Sequence, residues 1–228
     1  MFLAMDKVTV VIPAFNEENT IKMVVKETEP FCDEVLVILA KKSSDRTKAI
    51  LEENKIKYII DHGKGHGEAK KCAINYLQDG IIVFMDADGS HDSKDIQRMI
   101  KPLQEDKADM VIGSRMLGGS DELHGTFSNF IRNIGSNLIQ LIINYRFNVR
   151  LSDCENGFRA LKVSIAKDLK LNADDFDIEQ EMILKALKKK NRIKEIPAHE
   201  YERKHGKSNI NLWKIGWKFV WRLFKDIW

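Results

Sequence analysis

The stretch Ile81-Ile82-Val83-Phe84-Met85-Asp86-Ala87-Asp88-Gly89-Ser90-His91 decides the reading of this chain. An unbroken apolar run meets two carboxylates one residue apart. A short run that is apolar on both faces of the pleat reads as a strand covered by helices on both sides. Asp86 and Asp88 then stand where the strand leaves the sheet, and Gly89 turns the chain. Two carboxylates in such a turn can converge on a hard cation. Mg²⁺ suits this arrangement, taking one or two carboxylates, several waters and the oxygens of a substrate phosphate. Taken alone, an Asp-x-Asp is more simply a solvated loop with helix-capping aspartates, so the weight falls on its surroundings.

Upstream, Lys7–Ile12 reads as a buried parallel strand. Pro13-Ala14-Phe15-Asn16-Glu17 ends it and opens a helix with Ile21, Val24 and Val25 at helical spacing. Glu34–Leu39 and Lys57–Ile60 read as further strands. His62-Gly63-Lys64-Gly65-His66-Gly67 alternates glycine with basic residues ahead of a helix over Glu68–Leu77. A helix N-terminus there could receive an anion. A flexible turn explains it as well, and the spacing is neither the Walker nor the dinucleotide pattern. Downstream, Ser93–Leu103 reads as a helix and Asp109–Ser114 as a strand ending at Arg115. This alternation predicts an α/β domain with a mostly parallel sheet flanked by helices, and ligands of such sheets bind at the strands' C-terminal ends.

Phe127–Tyr145 reads as a helix whose apolar residues are mostly accounted for by core packing. Asp153–Leu161 reads as a turn into a short strand, and Arg192–Ile196 as another strand. Asp177, Glu179 and Glu181 open a helix to Leu187, where complementing the dipole is the plain account.

The 228 residues, 43% hydrophobic and 31% charged, suffice for one large soluble domain. A net charge of +3 with pI near 8.6 speaks against a nucleic-acid partner. Cys32, Cys72 and Cys154 are widely spaced and show no metal-ligand spacing, the pattern of reduced thiols in a cytoplasmic protein. No secretory leader is expected after Met1, and no apolar run approaches the ~20 residues that span a bilayer.

Asn211–Trp228 holds all four tryptophans. Trp213, Trp217 and Trp221 share a helical face with Val220 and Phe224, edged by Lys214, Lys218, Arg222 and Lys225. That is the pattern of a helix lying in a membrane interface; an aromatic helix docked on the domain or on a partner reads equally well. The expected division is therefore a catalytic domain over residues 1–208 and an amphipathic helix over 209–228.

Together the motifs resemble glycosyltransferase family 2, with its Rossmann-like GT-A fold, and within it the dolichyl-phosphate mannose synthase group. The resemblance rests on Val11-Ile12-Pro13-Ala14-Phe15-Asn16-Glu17, Gly63-Lys64-Gly65, Met85 through His91, Ile112-Gly113-Ser114-Arg115, Asn156-Gly157-Phe158-Arg159, Asp177-Ile178-Glu179, and Glu195-Ile196-Pro197 with Arg203-Lys204-His205-Gly206-Lys207-Ser208. It implies nucleotide-sugar contacts from Pro13, Ala14, Phe15, Asn16, Glu17, Lys41, Lys64, Asp86, Ala87 and Asp88. It implies Mg²⁺ or Mn²⁺ on Asp86 and Asp88, with Ser90 as a further contact. Arg115, Arg132, Arg203 and Lys207 match basic positions near the diphosphate and the acceptor phosphate; with the acidic pair, Arg115 and Arg203 form the expected catalytic set. One departure stands out: Ala40-Lys41 replaces two aspartates that follow the second strand in the family, which leaves the base of the nucleotide open.

The expected activity is inverting transfer of a sugar, mannose or glucose foremost, from a GDP- or UDP-sugar to a polyprenyl or dolichyl phosphate, by an enzyme peripheral on the cytoplasmic face of a membrane. Alternatives are a hydroxyl acceptor, with Asp153, Asp177 or Glu179 as general base, a nucleotidyltransferase, or a nucleotide-sugar binder without turnover.

Overall fold

The computed structural model describes residues 6–122, 127–205 and 212–227, with side chains for all of these except 127–133 and 212–215. One sheet is built from β1 (Val8–Ala14), β2 (Glu34–Leu39), β3 (Tyr58–Ile60), β4 (Ile81–Phe84), β5 (Met110–Ser114), β6 (Arg159–Lys162) and β7 (Ile193–Pro197). Its order is β3-β2-β1-β4-β6-β5-β7. The strand that follows the Asp153 turn, β6, runs antiparallel to both neighbours, while the other pairings are parallel. The helices are α1 (Ile21–Thr28), α2 (Thr47–Glu53), α3 (His66–Tyr76), α4 (Asp95–Gln104), α5 (Arg115–Gly118), α6 (Phe127–Phe147), α7 (Val163–Asp168), α8 (Ile178–Lys188) and α9 (Leu212–Asp226).

The continuous apolar runs have a direct cause. Along β1 and β4, alternate side chains enter opposite cores. Val11, Ile82 and Phe84 face one core with Ala69, Ala73 and Ile183, whereas Val10, Ile12, Ile81 and Val83 face the other with Ile21, Val24 and Met99. With both faces covered, no position in these strands can be polar without losing its solvation. Because the strands are parallel, β1 and β4 end at the same sheet edge, side by side. That register brings the Pro13–Glu17 turn next to Asp86 and Asp88.

Two sequence expectations need correction. The apolar stripe of α6 is not mostly core: Ile139 and Ile143 are buried, but Leu138, Leu141 and Tyr145 are 58%, 64% and 93% exposed. The acidic start of α8 does more than complement a dipole. Asp177 and Glu181, with Asp226, surround the buried guanidinium of Arg222, at 2.7, 3.1 and 3.1 Å. Lys218 pairs with Asp175 at 2.8 Å. Two members of the supposed basic stripe of α9 therefore face the protein, and Leu223 and Ile227 enter the core beside them. On the other side of this helix, Trp217, Val220, Trp221 and Phe224 are exposed. Trp213 and Trp228, and the division expected at residue 208, lie outside the residues or side chains described. No described helix is long and apolar enough to cross a membrane.

Candidate active site

A cleft of about 460 Å³ opens at the C-terminal ends of β1, β2 and β4. That is the size of a small-ligand site. Its walls carry Pro13, Ala14, Phe15 and Glu17 from the first turn, Lys64 from the glycine loop, Asp86, Ala87, Asp88 and Ser90 from the β4 exit, and Arg115 and Arg203.

Asn16 stands behind this wall and builds it. Its backbone adopts φ 56°, a left-handed conformation that asparagine tolerates. Its Oδ1 accepts from the Ser44 N–H at 2.8 Å, tying the β1 turn to the β2 loop. Thr47 and Asp45 do the same for the next residues, accepting from the N–H groups of Glu17 and Glu18. Lys42 rather than Lys41 is among the lining residues. The Lys41 N–H donates to Asp61 Oδ1 at 2.8 Å, as does the Gly63 N–H. Asp61 is 5% exposed and lines the cleft beside Ala40, so a carboxylate reaches the region of the missing aspartates from β3. Sequence reading passed over it because nothing local marks Asp61 as a partner of the β2 loop.

The glycine loop is held by close approach. Gly65 has φ 151°, and a Cβ there would stand 2.4 Å from the Asp174 carbonyl oxygen. Only glycine lets that backbone in.

At the β4 exit, Gly89 turns with φ 80°, and Asp88 Oδ1 accepts from the Ser90 N–H at 3.0 Å. The segment after β7 lies along this turn. The Tyr201 N–H donates to the Ser90 carbonyl at 2.8 Å and the Lys204 N–H to the Asp88 carbonyl at 3.1 Å. Arg203 is thereby delivered to Asp88, 3.3 Å away, and also contacts Glu122 at 3.2 Å. His91, stacked on Phe158, sits 3.3 Å from Asp86. Burial works to raise the Asp86 carboxyl, but the hydrogen bond and charge of His91, helped by His66 and Lys70, outweigh it and leave the group below the ordinary carboxylate range. Asp86 is thus poised as an anion. Glu17 is pushed up, chiefly by burial.

Two hard carboxylates on one cleft wall, which Ser90 also lines, are a donor set that suits Mg²⁺ or Mn²⁺.

Arg115 is already occupied. Asp153 grips it through Nε at 2.7 Å and Nη2 at 3.0 Å, and Glu200 adds a contact at 3.3 Å. The side chain of Arg132 and all of Lys207 lie outside what the structure describes.

The floor of the site is a buried charge network. Glu179, on α8, pairs with Lys70 and with Arg159 at 3.1 Å; His66 stands 3.6 Å away, stacked on Phe176. Lys70 and Arg159 are fully buried. Arg159 also donates to the carbonyls of Asn156 and Cys154, both at 2.7 Å, which shapes the Asn156–Phe158 turn under the cleft. Burial raises the Glu179 carboxyl, but Lys70 and Arg159 bring it down to about 2. Lys70 was missed in the sequence because helix periodicity does not mark it, and His66 was read only as part of the glycine loop.

Comparison with known proteins places this architecture. An uncharacterized protein of Methanocaldococcus jannaschii is 31% identical over 94% of this chain and 91% of its own length. The UDP-N-acetylglucosamine–dolichyl-phosphate N-acetylglucosaminyltransferase of Methanococcus voltae is 26% identical, over 93% of each chain. Among solved structures, glucosyl-3-phosphoglycerate synthase of Mycobacterium tuberculosis, in complex with Mn²⁺, UDP and phosphoglyceric acid, superposes with a TM-score of 0.75 at 17% identity, over 97% of this chain and 78% of that one. The fold is thus GT-A. The sequence profile of glycosyl transferase family 2 matches residues 9–170, and with the carboxylate pair at the β4 exit and the sheet around it already described, the chain belongs to that family.

Proposed function

We propose that this glycosyltransferase moves a hexose, with inversion, from a nucleotide diphosphate sugar to a polyprenyl or dolichyl phosphate. The observation that carries the acceptor is the state of the carboxylates. A hydroxyl acceptor needs a general base whose pKa lies near the working pH. Of the three carboxylates that the sequence offers as bases, Asp153 is locked to Arg115 and Asp177 to Arg222, while Glu179 is held near 2 by two buried cations; Glu17, pushed up by burial, stands on the first turn, where the nucleotide would sit. A phosphate monoester needs no base, since its second pKa of about 6 leaves it largely dianionic at neutral pH. The M. voltae relative, named for a dolichyl-phosphate acceptor, supports the same reading.

In the reaction, an oxygen of the lipid phosphate attacks the anomeric carbon on the face opposite the pyrophosphate. The bond from that carbon to the leaving oxygen breaks, and the nucleoside diphosphate departs with the electron pair. Asp86, Asp88 and Ser90 would hold Mg²⁺ or Mn²⁺, which neutralises the pyrophosphate when bound. The first turn and Lys64 would seat the nucleotide, with Asp61 facing the base. Arg203, freed from Asp88, would pass its charge to the diphosphate. Arg132 and Lys207 are proposed for the lipid phosphate.

Release of nucleoside diphosphate from a panel of GDP- and UDP-sugars, with and without polyprenyl phosphate, tests this. Release should depend on the lipid phosphate. Release that depends instead on a hydroxyl acceptor defeats the proposal.

Residues 209–228, beyond the catalytic domain of 1–208, would rest on the cytoplasmic face of the membrane that holds the acceptor. The support is exposed apolar side chains on two helices that touch. Trp217, Trp221 and Phe224 on α9, and Leu138, Leu141 and Tyr145 on α6, are exposed, and the two helices touch. Replacing Trp217, Trp221 and Leu141 by serine should cut flotation with anionic liposomes by about tenfold or more, from the apolar area lost. Unaltered flotation rejects the membrane role, and a dimer that dissociates in the variant would identify a second copy as the occupant.

A further inference from the structure

A second cluster of ligating groups lies behind the glycine loop, outside the cleft chemistry. Glu68 and Cys72 are one helical turn apart on α3, and His62 in the preceding loop folds back over them. His62 Nδ1, one Glu68 oxygen and Cys72 Sγ all lie within 4.8 Å of one another. From these three donors we propose a metal site for a borderline-soft divalent ion, Zn²⁺ in the first place, separate from the Asp86–Asp88 pair.

The donor types discriminate. Mg²⁺ and Mn²⁺ favour oxygen, as the β4 exit offers; imidazole, thiolate and a single carboxylate favour zinc. The spacing agrees as well. A tetrahedral Zn²⁺ with Zn–N of about 2.0 Å and Zn–S of about 2.3 Å separates those two donors by about 3.5 Å. His62 Nδ1 and Cys72 Sγ are 3.5 Å apart. Glu68 Oε1 is closer, 2.5 Å from Nδ1 and 2.7 Å from Sγ, because it accepts hydrogen bonds from both. An ion in place of those protons moves the carboxylate outward by roughly 1 Å. The carboxylate is pre-aimed: Glu68 is 4% exposed, and its Oε2 accepts from the His62 N–H at 3.1 Å. Binding converts the Cys72 thiol to a thiolate and releases one proton to solvent; the imidazole stays neutral, with its proton on Nε2. The exposed side of His62 leaves the fourth position to water.

The site would serve as a clamp. The chain from His62 into α3 carries Gly63, Lys64 and His66, all on the cleft wall. An ion joining His62 to the first turns of α3 fixes that loop without touching the nucleotide.

Co²⁺ titration of the whole chain in excess Mg²⁺, which keeps the oxygen site filled, tests the proposal. Wild type should develop thiolate-to-cobalt charge-transfer absorption that Zn²⁺ displaces. Cys72→Ser should abolish it, and Cys32→Ser should keep it. His62→Ala, a change at an exposed side chain that leaves the core alone, should weaken Zn²⁺ at least tenfold in competition with a chromophoric chelator. No charge-transfer band in wild type, a band that survives Cys72→Ser, or unchanged Zn²⁺ affinity in His62→Ala overturns the site.

Discussion

Asp88→Ala is expected to remove sugar transfer and metal-dependent nucleotide binding while leaving the chain folded. Asp88 stands in the cleft on a turn, and its carboxylate supports little else. Oδ1 takes the Ser90 N–H and Oδ2 meets Arg203, which keeps its contact with Glu122. The pair is mostly buried, with Asp88 7% exposed, but Arg203 keeps Glu122, so the loss should cost about 1–3 kcal/mol and lower Tm by several degrees without unfolding the chain. The loss in turnover should be far larger. Removing one fixed group that stabilises charge developing in the transition state costs about 10²–10³ in kcat, and here the carboxylate would also anchor the ion. Turnover by nucleoside diphosphate release and nucleotide binding with and without Mg²⁺ are the measurements. Wild-type turnover in Asp88→Ala would refute the assignment of the pair.

Glu179→Gln should strike the fold. The substitution keeps the shape but leaves Lys70 and Arg159, both fully buried, without their shared anion. Breaking a buried pair by removing one partner costs about 3–5 kcal/mol, or roughly 10 °C or more in Tm at this chain length. The pH dependence identifies the cause. The Glu179 carboxyl falls from its ordinary 4.5 to about 2 in the folded chain. A depressed carboxyl stabilises above the unfolded value, and that stability drains as pH falls from about 4.5 towards 2. Asp86, Asp153 and Glu181 are depressed too, so wild type and variant both lose stability in acid. The gap between them should nonetheless narrow over that window, since protonated Glu179 resembles glutamine. A gap in urea midpoint that stays constant from pH 5 to about pH 2 sinks the charge account.

How far the residues alone reach follows from which interactions are local. β1, β2, β4 and β5 are legible because a strand covered on both faces is apolar nearly throughout, with the polar exceptions Thr9, Glu34 and Ser114 near the strand ends. The Asp86–Asp88 turn is legible because it ends such a strand. The Arg222 cluster was not, since a guanidinium on a tryptophan-rich helix looks alike whether it meets lipid headgroups or three carboxylates. Nor was the α6 surface: helical spacing of Leu138, Leu141 and Tyr145 says that one face is apolar, not that anything covers it. Glu68 and Cys72 face each other one turn apart on α3, but His62 joins them only through the fold of the glycine loop.

By itself the sequence determined the layered α/β sheet and the acidic pair at its edge, because both depend on patterns within a dozen residues that solvation enforces. The antiparallel insertion of β6, the strapping of 200–204 across the β4 exit and the burial of Lys70 beneath Glu179 were decided by tertiary structure alone. Each joins groups far apart in the chain, and their pairing energies exist only once the sheet has brought them together.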